Sequence, residues 1–502
     1  MSTAIHKLRI RTAERDAHSV RQRVAAMLNA ADLRPRALPA SSILVVRRIG
    51  PGLPPLRVDG HSVHPPADWQ EAVLDLLDRA ARTAQRPAGG SVPATAEAVL
   101  FLDRAELLAC MAADWVDCTL NSHWWWPNLF PPVDLPAAVV RNWMESPEYA
   151  PAAMERLAWS RQAAAFVRKL PAPALPTMAR DVTRAFALRD LERGVEMVFA
   201  SAAVPEGAID REPAIRETVR SISVPPPWAP HVPEARDPAL TTGQRAFLGI
   251  ALALQRAPQA VRDRDFAAQV KVWAQASTTM EMGGSSSPGG LRSELTFVGD
   301  TPAQSAAPTS PPEEVPIPTR PAAFAAETGL TPTVELIAAP ESRLDPAAFD
   351  GEEIETELGG LFYLINLGIY LGYYGDFSTP DEPGINLPIW DFLALVGRRL
   401  LEEPRAEDPL WGMLARLAGR PEFEEPHWDL LDDAMPRINT WIAAEKVEGL
   451  VVTHRARVLL MATHLDAFLL LDELPIEIRI ARLDRDPGWV PAAGRYIAFH
   501  FQ

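Results

Sequence analysis

The segment Thr463-His-Leu-Asp carries the side chains with the most evident chemical potential. His464 offers an imidazole and Asp466 a carboxylate, two groups that hydrolytic metal sites combine. We predict one helix over Val447–Leu471, on which residues two apart do not share a face. His454, ten residues before His464, would be ~15 Å away along that helix. Polar or capping roles are therefore favoured, and a metal-assisted hydrolase using His464 and Asp466 is the alternative interpretation.

A second pair of carboxylates, Asp484 and Asp486, flanks Arg485. Paired carboxylates can share acid–base work or bind a cation, so the hydrolase alternative extends to this pair. Pro487-Gly488 follows directly, which is typical of a tight turn, and aspartates in turns commonly accept hydrogen bonds from the backbone. The turn role is favoured, and Asp484, Asp486 and the nearby Trp489 are kept as candidate contact residues.

Three adjacent tryptophans, Trp124, Trp125 and Trp126, form the most conspicuous aromatic cluster. Three neighbouring indoles do not all point into one core, and large aromatic side chains with a polar edge dominate contact surfaces. We therefore predict that one or two of them lie at an interface between domains or subunits. A platform for a small ligand and a corner inside one domain are the other two interpretations.

Cys110 and Cys118 are the two cysteines of the chain. We predict that both lie on one helix, where their spacing is ~12 Å and too long for a disulfide. We expect two buried structural cysteines. Their free state and the absence of a signal peptide at the start of the sequence predict a reducing, cytoplasmic location.

Sequence motifs of known chemistry are absent, since no P-loop, GxGxxG, GxSxG, HExxH or CxxC occurs. These motifs carry much of the chemistry that a sequence can reveal, so we predict a protein that is not an enzyme and has no cofactor or resident metal. The formal net charge of -16 disfavours general nucleic-acid binding and docking on an anionic membrane.

One apolar segment, Leu358–Gly375, has about the minimum length of a membrane span and carries no charge. Its tyrosines, its central Asn366 and its acidic flanks oppose a span, because basic flanks are typical of membrane helices. We predict a buried core helix at this position and no membrane span.

The elements that carry these residues fall into four predicted regions. Residues 1–65 form a small β-α-β unit with strands Ile5–Ile10 and Ile43–Ile49 around a helix at Ala17–Ala31. Residues 66–276 form a mostly helical domain. Its predicted helices are Pro66–Arg86, Pro93–Asn121, Leu135–Met144, Met154–Arg168, Met178–Phe199 and Gly243–Ala276.

Residues 277–346, rich in Pro, Ser and Gly, are predicted to be a disordered linker with a short strand at Leu295–Val298. Residues 347–502 form a helical domain that ends in a β-hairpin of Ile476–Ile480 and Arg495–Phe501. The predicted fold class is therefore mainly α with small α+β elements. The helices of this last domain are Gly360–Gly375, Leu387–Leu401, Leu410–Leu417, Asp429–Ile442 and Val447–Leu471.

Three blocks of patterned apolar sequence stand out. They are Ile5–Arg11 with Ile43–Ile49, Leu102–Trp115 running into Trp124–Trp126, and Gly360–Phe377 continuing at Leu474–Arg479 and Asp484–Phe501. Together they cover about half the chain and resemble proteins of contractile injection system clusters, the phage-tail-like particles, a family that includes tape-measure-like components.

The resemblance implies a non-enzymatic assembly or accessory protein of such a particle, with baseplate, tube, sheath or cap proteins as partners and a cytoplasmic or particle-associated location. A length ruler needs a long continuous helix, whereas prolines and a linker interrupt this chain. The accessory role is therefore favoured over the ruler. A small-ligand binding module at Trp124–Trp126 is the second alternative, after the hydrolase.

Overall fold

The structure is a computed structural model of the chain. It describes residues 17–35, 38–49, 64–130, 134–202, 225–263, 265–279, 351–376, 384–401, 407–421, 431–447 and 452–502, together with positions 5, 53, 54, 56, 424 and 426. The predicted strand Ile5–Ile10 beyond its first residue, and the predicted linker 277–346 beyond Thr279 with its strand at Leu295–Val298, lie outside the described residues.

The predicted fold class is confirmed, because the chain is mostly helical with small sheets. The N-terminal part contains α1 (Ala17–Ala30), β1 (Ile43–Val46), α2 (Ala67–Thr83) and β2 (Ala98–Phe101). Strands β1 and β2 pair antiparallel, with Ile43 opposite Phe101.

Strand β2 corrects the predicted helix Pro93–Asn121. The buried run Ala98–Phe101 pairs with β1, and the helix starts only at Arg104. Asp103 sets this boundary, since its side chain accepts a hydrogen bond from the backbone N–H of Glu106, the usual action of an N-cap.

The helical middle forms one hydrophobic core. Predicted helix Leu135–Met144 is confirmed, but the longer predicted helices are divided. Arg161 and Ala187 adopt left-handed backbone conformations, with φ of 60° and 56°, and each ends a helix there. The helices are α3 (Arg104–Val116), α4 (Trp125–Leu129), α5 (Leu135–Met144), α6 (Ala150–Trp159), α7 (Ala163–Lys169), α8 (Ala174–Ala185), α9 (Arg189–Ala202), α10 (Thr242–Arg256), α11 (Pro258–Val261) and α12 (Phe266–Thr279).

Helix α10 is the centre of this core. Thr241 and Gln244 form a reciprocal capping box at its start. Its residues are buried almost all round, which is typical of a helix inside a large domain rather than at its surface. Gly249 allows the indole of Trp273 to approach, because a Cβ atom there would lie 2.7 Å from that ring.

The C-terminal part places helices against one five-stranded sheet. The apolar segment Leu358–Gly375 becomes a 3-10 turn and a short buried helix, as predicted for a core element. None of the helices in the described part of the chain combines the length and apolar character that crossing a membrane requires. The helices are α13 (Tyr363–Tyr370), α14 (Ile389–Leu400), α15 (Pro409–Leu417), α16 (Met435–Glu445) and α17 (Ile476–Ile480).

The strands are β3 (Glu352–Thr356), β4 (Ala456–Leu460), β5 (His464–Leu469), β6 (Gly488–Val490) and β7 (Arg495–Phe501). Their order in the sheet is β3-β4-β5-β7-β6. All neighbours are antiparallel except β5 and β7, which are parallel.

Two predictions for this region are wrong. The predicted helix Val447–Leu471 is the β4–β5 hairpin, whose alternate residues Leu465, Ala467 and Leu469 are buried. The predicted strand Ile476–Ile480 is helix α17. In the sheet, β7 lies between β5 and β6. The chain that leaves β5 must therefore pass the position of β7 to reach β6, and α17 lies in this connection.

The sheet has two buried faces of different character. One face, with Val458, Leu465, Ile497 and Phe499, packs in a second core with α13 and α14. Trp489 and Ala462 belong instead to the core of the helical middle. The described residues of Met1–Met282 and Pro346–Gln502 accordingly form one compact unit.

Candidate functional site

His464 and Asp466 lie on strand β5, not on a helix. Residues two apart on a strand share a face, so the spacing that separates these side chains on a helix brings them to the same side of the sheet. On neighbouring β7, Tyr496 is the register partner of His464, and Ala498 is the partner of Asp466. This face points away from the second core and carries most of the polar side chains of the sheet.

A hydrogen-bond chain joins one end of this face to the helical middle. The hydroxyl of Thr463 donates to Oδ2 of Asp103 over 2.6 Å, and Nδ1 of His464 lies 2.8 Å from the same hydroxyl. Because the hydroxyl gives its proton to the carboxylate, Nδ1 of His464 is the donor in the second bond. Burial lowers the pKa of His464, against the opposing effects of Asp103 and Asp466.

Two tyrosines extend this contact. The rings of Tyr149 and Tyr496 stack at 5.5 Å, and the hydroxyl of Tyr496 donates to Glu148 over 3.0 Å. Burial raises the pKa of both phenols, which keeps them neutral and able to donate. His464 stacks on Tyr496 at 5.3 Å, so its ring is held between the sheet and the helices. This cluster acts as a polar joint between the two cores.

A histidine that the sequence did not single out, His500, pairs with Asp466. Its Nε2 lies 2.7 Å from Oδ1 of Asp466, whose side chain is 3% exposed. The other oxygen, Oδ2, is buried and has no hydrogen-bond partner among the described residues. Asp466 therefore fixes the orientation of the imidazole, in the way that a carboxylate orients a functional histidine.

Three planar groups line up across three strands on the same face. Phe468 is the register partner of Arg457 on β4 and of His500 on β7. The guanidinium carbon of Arg457 lies 4.1 Å from the ring centroid of Phe468, and the rings of Phe468 and His500 stack at 4.7 Å. We call Arg457, Phe468 and His500 the planar row.

The planar row forms the floor of a cleft of about 460 Å³. The opposite wall comes from the loop after α1. The lining consists of the planar row with Leu459 and Gln502 on one side, and of Asp32, Arg34, Pro35, Leu38, Pro39 and Ala40 on the other. Its size is that of sites for small molecules.

Asp484 and Asp486, which precede strand β6, have structural bonds. Oδ1 of Asp486 accepts a hydrogen bond from the backbone N–H of Phe499 over 2.7 Å, and Asp484 lies 3.5 Å from Arg479. The side-chain amide of Asn366 donates to the carbonyls of Leu483 and Arg485 and so clamps the same segment. Both aspartates thus have structural bonds, but the tight hairpin turn predicted at Pro487-Gly488 is wrong, because Gly488 is the first residue of strand β6.

The tryptophans lie inside the molecule. Trp125 and Trp126 are 1% and 0% exposed, and the indole N–H of Trp126 donates to Asp114 over 2.6 Å. Trp124 is partly buried beneath the guanidinium of Arg47. The cluster therefore packs within the helical middle, and a partner or ligand does not reach Trp125 or Trp126 in this arrangement.

Trp489 also packs within the chain, at the contact between its N- and C-terminal parts. Its indole N–H donates to the carbonyl of Ala185 over 2.8 Å, and its ring meets Phe186 edge to face. Arg262 adds a bond across the same contact, to the carbonyl of Pro491.

The prediction of two buried cysteines on one helix is wrong, because Cys110 is only partly buried and Cys118 is exposed. Only Cys110 lies within α3, whereas Cys118 follows its end with φ of 61° and is exposed. The ammonium of Lys169 lies 3.6 Å from its sulfur.

We expect iodoacetamide to alkylate Cys118 much faster than Cys110 in the folded protein. Thiolate is the reactive form, and burial raises the pKa of the Cys110 thiol. Peptide mass spectrometry after timed labelling measures both rates, and unfolded protein supplies the reference. Equal rates in the folded state would contradict the described environments.

The described residues contain no group of three or more His, Cys, Asp and Glu side chains that could hold a metal ion. His454, which the sequence placed near His464, is instead buried between Tyr363 and the carbonyl of Leu470. Arg457 was missed because helix Val447–Leu471 was predicted where two strands occur. His500 lies on Arg495–Phe501, which was predicted as a strand, and it was missed because its partner Asp466 was placed on that helix. The alternation of His464, Asp466 and Phe468 with three apolar residues was the signal that could have revealed them.

Comparison of the chain with protein-family models, with curated proteins and with solved structures found no match in any of the three.

Proposed function

We propose that this chain is a non-enzymatic assembly or accessory protein of a contractile, phage-tail-like injection system, and that it acts through protein contacts. The three sequence blocks described above support the class of particle. The single structural observation that supports a contact role is a cluster of exposed aliphatic side chains at residues 470–480.

This cluster, which we call the aliphatic patch, consists of Leu470, Leu471, Ile476 and Ile480. Ile476 and Ile480 are 61% and 68% exposed. In the described part of the chain, the other exposed large hydrophobic side chains are Ile5, Ile49 and Tyr370, which are far from one another in the sequence. Single exposed apolar residues are ordinary, whereas a group of them is typical of an interaction surface.

The local backbone holds the aliphatic patch outward. Residues four apart on a helix share a face, so Ile476 and Ile480 stand together on α17 while Ile478 between them is fully buried. The backbone N–H of Leu471 donates to the carbonyl of Gln502, which ties the preceding turn to the end of the sheet. A partner would therefore meet a surface that is already ordered.

The double variant I476E/I480E is expected to fold normally and to lose co-purification with baseplate, tube, sheath or cap proteins. Both side chains are exposed, so the added charges do not enter a core, yet they would have to be desolvated at an apolar interface. The measurement is affinity purification of the full chain from the encoding organism, followed by mass spectrometry of the proteins retained.

The matched control is I49E, the same exchange at an exposed isoleucine outside the aliphatic patch, which should keep the partners. Absence of the wild-type chain from particles and from all assembly intermediates would overturn the proposed class. Retention of every partner by I476E/I480E would overturn the role of the aliphatic patch.

A further inference from the structure

The cleft over the planar row carries a charge pattern that differs from the protein as a whole. The chain has a formal net charge of -16, yet the charged side chains that line the cleft are Arg34, Arg457 and Asp32, together with the imidazole of His500. The two guanidinium groups come from opposite walls, one from the loop after α1 and one from β4. An excess of cationic groups in a cleft of an acidic protein favours an anionic occupant.

Both arginines leave donors for a ligand. The carboxylate nearest to Arg457, that of Glu353, lies 3.4 Å away, and its side chain is itself more than half exposed. Such an exposed pair is weak and is readily exchanged for a ligand anion. The side chain of Arg34 is exposed at the cleft and has no ion-pair partner among the described residues.

His500 adds an imidazole of fixed orientation to the lining of the same space. Asp466 holds the imidazole by Nε2, so that Nδ1 is the nitrogen left for a ligand, and no described residue bonds to it. The carboxylate beneath the ring is almost completely buried, with one oxygen that lacks a partner. A buried carboxylate that orients a ring at the floor of a cleft is typical of a binding site.

The remaining lining is apolar. Phe468 lies between Arg457 and His500, and Pro35, Leu38 and Pro39 face this row across the cleft. Arg457 and His500 cover the Phe468 ring from the two neighbouring strands, so the planar row meets the cleft with ring edges. An apolar body packs against such edges, while guanidinium groups bind carboxylate or phosphate oxygens.

We propose that this cleft binds a small molecule with an apolar body and an oxyanion group, either carboxylate or phosphate. The body packs between the edge of the planar row and the opposite wall, and Arg34 and Arg457 contact the oxyanion. The site adds ligand binding to the proposed assembly role and does not depend on it, because the aliphatic patch and the cleft share no residue.

The test is fluorescence titration of the full chain with 8-anilinonaphthalene-1-sulfonate, an apolar anion, followed by competition. Benzoate and phenyl phosphate should displace the probe, and benzamide, the neutral counterpart of benzoate, should not. R34Q and R457Q should each weaken benzoate binding about three- to fivefold, the effect of losing one partly exposed charge contact. R455Q removes the same charge from an exposed position that does not line the cleft and should bind as wild type does.

Benzoate and phenyl phosphate distinguish a carboxylate ligand from a phosphate ligand, and displacement of the probe by either compound supports the site. Equal displacement by benzamide, or unchanged benzoate affinity in both R34Q and R457Q, would overturn it. Some probe could bind the aliphatic patch instead of the cleft. The variant I476E/I480E should lose the fluorescence of that fraction and keep the fluorescence that benzoate displaces. Absence of ligand binding in the cleft would thus leave the assembly role untouched. Absence of the assembly role would likewise leave ligand binding in the cleft untouched.

Discussion

Replacement of Arg256 by methionine is expected to lower the free energy of unfolding by about 3–5 kcal/mol at neutral pH, because it leaves a buried carboxylate without its cation. Nε of Arg256 lies 2.6 Å from Glu155, whose side chain is 3% exposed. The same guanidinium makes two bonds to Glu234, at 2.9 and 3.0 Å. Methionine keeps most of the apolar stem, so the loss reports mainly on charge.

The loss of unfolding free energy in R256M should become larger as pH rises. Burial raises the pKa of Glu155 even in the presence of Arg256 and Trp159, and removal of the arginine raises this pKa further. A carboxyl group whose pKa is higher in the folded state favours folding when protonated. Stability therefore falls as pH rises from about 4, the value of an unfolded glutamate, through the folded pKa. The penalty should be small in acid and fully present at neutral pH.

Urea unfolding of wild type and R256M across this pH range measures the effect. The control is R184M, because Arg184 and Glu192 form an ion pair of 2.8 Å in which the arginine is 59% exposed, and such pairs contribute at most about 1 kcal/mol. E155Q/R256M should be more stable than R256M alone at neutral pH, since no uncompensated charge remains. A loss in R256M that is no larger than in R184M, or that does not change with pH, would contradict the buried ion pair.

The second large effect concerns Asp103, which has two structural roles. One oxygen caps helix α3 by accepting from Glu106, and the other accepts from Thr463 on the far side of the polar joint. We expect D103A to cost about 3 kcal/mol, the sum of a lost N-cap and a lost bond between a hydroxyl and a buried carboxylate. Denaturant unfolding measures the change in free energy.

Three variants divide this cost between the two roles. T463V removes only the bond across the joint, and T241A removes an N-cap that lies wholly within the helical middle, at the start of α10. Each should cost about 1–2 kcal/mol. D103A/T463V should cost less than the sum of its single variants, because both remove the same bond. Strict additivity would show that Asp103 and Thr463 do not interact.

Local patterns in the sequence predicted the helices that have clear boundaries. Asp134 and Pro136 mark the start of α5, and an apolar stripe runs to Met144, so its bounds were predictable. The strands within Ala456–Leu469 were not predictable in this way, because a dense apolar run fits the period of a helix as well as that of a strand. Pairing with β3 and β7, which are far away in the sequence, stabilises strands here. Ile476–Ile480 failed for the opposite reason, since its alternation predicts a strand but the route of the connection requires a helix.

The candidate site was also predictable only in part from local sequence patterns. His464 and Asp466 were noticeable by type, but their common face depended on the correct secondary structure. The planar row depends on the register of three strands, which no local pattern contains. The loop wall with Arg34 becomes part of a site only when the N-terminal region packs near the sheet.

The two edges of the five-stranded sheet limit how this protein can aggregate or recruit a strand. Asp486, which precedes strand β6, occupies the N–H of Phe499 where the three-residue strand β6 no longer covers β7. The opposite edge strand, β3, carries Glu352, Glu353 and Glu355, which repel an approaching acidic chain. Short edges, charges and occupied donors prevent sheets from joining edge to edge. The sheet would thus remain closed to strand exchange, and any partner would have to recognise side chains rather than open backbone.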